Sequence, residues 1–137
     1  MRELDDFLAG WQAAPGTETE NRAAFVALKE HLAAQSGVSL NFVARPGVTY
    51  SLRARHEAQA KRELFVMVDV IEDSPRWLSV CFYQDLVTDP EERGDAVPGG
   101  LLGEDAICFD MESATPKAVA YLKARLDEAG ERAGQGG

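Results

Sequence analysis

VSLNFVARPGVTYSLR (Val38–Arg53) decides the fold, because its side chains change character at every second residue. Val38, Leu40 and Phe42 alternate with Ser39 and Asn41, and Val48, Tyr50 and Leu52 alternate with Thr49, Ser51 and Arg53. A period of two belongs to strands with one buried and one different face. Arg45-Pro46-Gly47-Val48 lies between the two runs. Proline presets φ at the second position of a turn and glycine accepts a positive φ at the third, so a type II turn closing a hairpin is expected.

Downstream, Leu64–Ile71 (LFVMVDVI) is apolar on both faces and β-branched, as a central strand requires. Asp73-Ser74-Pro75 predicts a turn, residues 77–83 the next strand, and Ala106–Met111 the last. Upstream, Leu4, Phe7, Leu8 and Trp11 form the stripe of a short helix, ended by Ala-Ala-Pro-Gly at 13–16. A second helix carries Ala24, Phe25, Leu28 and Leu32, with Thr17 and Glu20 spaced as a capping box and Gly37 as its stop. Thr115-Pro116 opens a C-terminal helix with Val119, Leu122 and Leu126 on its apolar side.

The expected fold is therefore α+β, in the order α-α-β-β-β-β-β-α. A single five-stranded, mostly antiparallel sheet would carry the long N-terminal helix and the C-terminal helix on one face. Residues 1–130 form one domain, and 131–137, ending in Gly-Gln-Gly-Gly, are expected to be a flexible tail. The 137 residues suffice for one core, and 45% hydrophobic with 27% charged residues is a globular composition.

Alternation sorts the sheet into two faces. One carries Val38, Leu40, Phe42, Tyr50, Leu52, Leu78, Val80, Phe82, Ile107 and Phe109, a core for the helices. The other mixes Ser39, Asn41, Thr49, Ser51, Arg53, Trp77, Ser79, Cys81, Tyr83, Cys108 and Asp110. Pattern alone leaves the orientation of the central strand open; one choice adds Phe65, Met67, Asp69 and Ile71 to the mixed face. Such a face is too apolar to stay wet and calls for a cover: the first helix, a second copy or a ligand.

The chemistry on offer is sparse. Cys81 and Cys108 are the only cysteines; if their strands pair they are near neighbours, and only His56 is placed to activate a thiol on that face. Strand cysteines more often serve as small hydrophobes. Cysteines and histidines at 31, 56, 81 and 108 match no zinc spacing. From Arg45 to Arg62 five Lys or Arg stand against Glu57, a local +4 that leaves −13 for the remainder of a chain of net −9. That stretch suits a small anionic ligand near Arg53–Arg62. The surplus of acids elsewhere argues against nucleic acid or an anionic membrane as partner.

Gln84–Gly103 reads as a long ordered loop that caps one end of the sheet. Its acids at 85, 89, 91, 92 and 95 lack the spacing of a calcium loop, and Pro98-Gly99-Gly100 lacks the lysine of a phosphate loop. Asp69 and Asp110, acids within apolar strands, need a partner such as Arg53 or Arg55.

Two functions follow. The favoured one is a binding or regulatory domain without catalysis, homodimeric or bound to another protein, which recognises its partner through the open face and the 84–103 loop. The alternative is a small enzyme or ligand-binding protein with a polar pocket at the sheet end. The residues expected to take part are Arg53, Arg55, Asp69, Trp77, Cys81, Tyr83 and Asp110. No catalytic set, metal site or cofactor is read from the sequence. An N-terminus with acids where a signal peptide needs an apolar run, and two cysteines outside any C-x-x-C pattern, lead to the expectation of a cytoplasmic protein.

Overall fold

A computed structural model describes all 137 residues. The hairpin forms as its pattern requires. Strands β1 (Val38–Arg45) and β2 (Thr49–His56) pair antiparallel, Gly47 takes φ 83°, and Val48 N–H donates to the Arg45 carbonyl at 2.9 Å. The central strand β3 (Val66–Ile71) and β4 (Trp77–Tyr83) extend the sheet.

The sheet has six strands where five were expected. β5 (Asp95–Leu101) lies within the predicted loop and pairs with β6 (Glu104–Met111), which gives the order β1-β2-β3-β4-β6-β5. Pro98 argues against a central strand and is admissible here because β5 is an edge with an irregular register between Val97 and Leu101. A two-residue connection, Leu102-Gly103 with both φ positive, closes this hairpin.

Helices α1 (Arg2–Gly10), α2 (Thr17–Ala33) and α3 (Pro116–Gly134) all pack on one face. On α1, Phe7 stacks on Tyr50 at 4.4 Å and meets Phe42 and Phe25, which places it beside α2. The first helix is thus not the cover of the opposite face. Arg76 seals this corner, its guanidinium 5.0–5.4 Å from the rings of Phe7, Trp11 and Tyr50 and 2.8 Å from Glu72. Beneath the helices Leu52, Val66, Val68, Val70, Leu78, Val80 and Phe82 have no exposed surface.

Two terminus readings change. Thr17 is the first helical residue of α2, and Gly16, at φ 98°, occupies the cap without a side-chain bond, so the capping box does not form. In the same first turn Glu18 accepts from the Trp11 indole N–H at 2.7 Å, which ties α2 to the end of α1. Helix α3 starts as expected, with Ala118 N–H on the Thr115 hydroxyl, but runs on to Gly134. The last residue is tied down by Gln59, whose buried amide donates to the Gly137 carbonyl.

Candidate functional site

The register assigns every strand residue to a face, since directly paired residues share one. Val66, Val68 and Val70 point to the helices, so Met67, Asp69 and Ile71 belong to the open face. Rows then run across the sheet. Asn41, Arg53, Met67, Cys81, Cys108 and Asp95 form one; Val43, Ser51, Asp69, Ser79 and Asp110 form the next; Arg45, Thr49, Ile71 and Trp77 form a third. No helix covers them. Met67, Asp69, Ile71, Trp77 and Cys81 are nonetheless half-buried, because their neighbours in the rows shield them.

The chemistry of this face is graded from one margin to the other. Arg45, Arg53 and Arg55 stand on β1 and β2. The middle has two apolar patches, Met67 with the Cys81–Cys108 pair and Ile71 with Trp77, on either side of the polar Asp69–Ser79 row. Asp110 and Asp95 stand on β6 and β5. None of these five charged residues takes part in an ion pair, although the chain has eight ion pairs elsewhere. Arg53 donates to the Ser51 hydroxyl, Arg55 to the Gln59 carbonyl, and Asp110 accepts from Ser79 at 2.7 Å.

Asp69 sits at the centre. Burial raises its pKa above the usual carboxylate range, against the pull of the Ser51 hydroxyl and the charges of Arg53 and Arg45. Its Oδ1 is buried without a hydrogen-bond partner. Arg53 does not reach it in the way the sequence suggests, being held by Ser51 between them.

Cys81 and Cys108 form a disulfide, which removes both from thiol chemistry. They are directly opposed, with Cα atoms 4.1 Å apart, the close approach typical of a non-hydrogen-bonded antiparallel pair. The expectation of small buried hydrophobes and of a thiol within reach of His56 gives way to this register. His56 instead turns to the helix side, against Gly37 and Gly134.

Tyr83 lies on the same face at its far end but is only 1% exposed. The guanidinium of Arg62 covers its ring at 4.0 Å and pairs with Glu104 at 2.8 Å and Asp85 at 3.0 Å. Arg62 is therefore neutralised, and the basic stretch does not gather into one site: Arg53 and Arg55 face the open side and Arg62 locks an end. A cavity of about 190 Å³ next to Arg53 and Arg55 is lined also by Ser39, Asn41 and Glu63.

The 84–103 segment is divided between the two sides. After a turn of 3-10 helix (Gln84–Leu86), Leu86 and Val87 are buried, and Glu128 of α3 accepts from both the amide and the hydroxyl of Thr88. Asp89 accepts from Tyr121, Arg93 N–H and Gly94 N–H. Burial pushes the Asp89 carboxyl up, but these three bonds outweigh it and hold its pKa below the usual range. Asp85, Asp89 and Glu91 thus serve the protein's own cations, amides and Tyr121 hydroxyl, and only from Asp95 onward does the segment border the open face.

Sequence reading missed Asp95, whose place shows only once β5 is recognised, and Arg45, which alternation assigns correctly when the turn is counted. Compared with known proteins, the chain matches no family model, no curated protein and no solved structure.

Proposed function

We propose that the chain is a binding or regulatory domain whose recognition surface is the helix-free face of the sheet, bordered by β5 from the 84–103 segment. One observation carries this reading: Met67 beside the disulfide and Ile71 beside Trp77 have no helix over them, and the charged residues toward the two margins, Arg45, Arg53, Arg55, Asp95 and Asp110, form no ion pair within the chain. Uncovered apolar patches edged by polar and charged residues are a feature of protein interfaces. Partner contact is assigned to Arg53, Arg55, Asp69, Trp77, the Cys81–Cys108 pair and Asp110, and Tyr83 supports them from beneath Arg62.

A small anion in the cavity beside Arg53 and Arg55 is the second reading, supported by two guanidinium groups that form no ion pair, with Glu63 the one carboxylate in the lining. A cytoplasmic setting remains part of the proposal. The disulfide weighs against it, because such bonds persist where conditions are oxidising.

Residues kept for recognition contribute little to folding, and this gives the test. The double substitution Met67→Thr, Ile71→Thr retains strand propensity and removes one apolar side chain from each patch. It is expected to change unfolding free energy by less than about 1 kcal/mol in urea titration at low protein concentration. A loss several times larger would assign these two side chains to the fold and end this reading.

A further inference from the structure

We propose that the partner of the open face is a second copy of this chain, stacked sheet on sheet about a two-fold axis parallel to the strands. The inference rests on the recognition reading above and names its occupant.

The order β1-β2-β3-β4-β6-β5 fixes what such an axis brings together. Rotation about a line parallel to the strands reverses the order from left to right and keeps position along the strands. β1 then lies over β5 of the other copy, β2 over β6, and β3 over β4. Asn41 then lies over Asp95, Arg53 over Cys108 with Asp110 one row on and Asp95 one strand across, and Arg55 over Ala106, while Arg45 falls beyond the first residue of β5. Met67 and Ile71 close on Trp77 and the disulfide. Each basic margin faces an acidic one, twice over, as an isologous interface demands.

The competing axis, in the plane but perpendicular to the strands, keeps the order from left to right. It sets β1 and β2 on themselves, with six arginines at one margin and four aspartates at the other. Like charges so placed cost several kcal/mol, so the gradient selects the first arrangement.

Size agrees. Strands of six to eight residues, at about 3.3 Å per residue and about 4.8 Å apart, give a face on the order of 550 Å². Two faces remove about 1,100 Å² from water, just above the roughly 1,000 Å² that a specific interface needs. Face-to-face sheets stand about 10 Å apart, within reach of arginine and aspartate side chains from both sides.

The test is a charge exchange followed by sedimentation equilibrium. Arg53→Glu, Arg55→Glu makes both margins of a copy acidic, and Asp95→Arg, Asp110→Arg makes both basic. Each variant alone is expected to weaken self-association at least about tenfold, or about 1.4 kcal/mol. An equimolar mixture is expected to dimerise again, because the acidic margins of one variant then face the basic margins of the other. For the wild type, added salt is expected to weaken the dimer, a readout that needs no variant to fold.

A wild type that stays monomeric into the hundreds of micromolar overturns the second copy as occupant. So does a dimer insensitive to salt and to both exchanges, or a mixture of two folded variants that fails to associate. The threonine double variant reports on the recognition surface regardless of these outcomes, so loss of the dimer and loss of the recognition reading are separate results.

Discussion

Adjacent residues of β3 lead different lives. Val66, Val68 and Val70 have no exposed surface and lie under α2 and α3, whereas Met67, Asp69 and Ile71, one position away each, look out from a bare sheet. The first set is what makes the chain fold, and the second is available for something else. The sharpest way to break this contrast is to cut into the covered side. Leu52, opposite Val68 on β2 and fully buried, is expected to lose about 3–4 kcal/mol on replacement by alanine. Urea unfolding of Leu52→Ala beside the Met67→Thr, Ile71→Thr variant measures the difference directly, and equal losses would show that the two faces do the same job.

The covered side also depends on one buried polar group. Asn21 of α2 has no exposed surface, and its amide donates to the carbonyls of Arg76 and Glu112 while its oxygen accepts from Ala114 N–H. It therefore ties the helix to the entry of β4 and to the connection between β6 and α3. Asn21→Ala strands three backbone groups at once, and we expect a loss of about 2–3 kcal/mol, below that of Leu52→Ala because water reaches part of the gap. Calorimetric melting checks it, and a loss under about 1 kcal/mol would mean that the three groups find other partners.

How much of this was legible in the sequence follows from the physics of each element. The 38–53 hairpin and its turn were legible because alternation and Pro-Gly both act locally. β5 was not, because Pro98, Gly99 and Gly100 speak against a strand and an edge position that tolerates them depends on the rest of the sheet. The orientation of β3 was open in the sequence, since valines on one side and Met67 and Ile71 on the other are both apolar; only the register decides it. Cys81 and Cys108 were legible as neighbours, but their bond depends on direct opposition to within one residue. Asn21 and Arg62 carry no local signal, because their partners lie 23 to 93 positions away.

Within the open face the effects are smaller, and Asp69 offers the finest test. Burial lifts its folded-state pKa, with the charges of Arg53 and Arg45 only partly offsetting it. A carboxyl whose pKa is higher folded than unfolded stabilises the native state below the unfolded pKa, and that contribution is lost as pH rises through the folded value. Wild type is therefore expected to lose stability in the window just above the ordinary carboxylate range. Asp69→Asn, which cannot ionise, is expected to run flat across that window and to exceed wild type at neutral pH by about 1 kcal/mol, the low end for an unsatisfied buried group. Denaturant titrations across mildly acidic to neutral pH, at a protein concentration too low for self-association, read this difference. Parallel curves for the two proteins would mean that Arg53 and Ser51 already hold the charged carboxylate, and that the centre of the open face is satisfied without a partner.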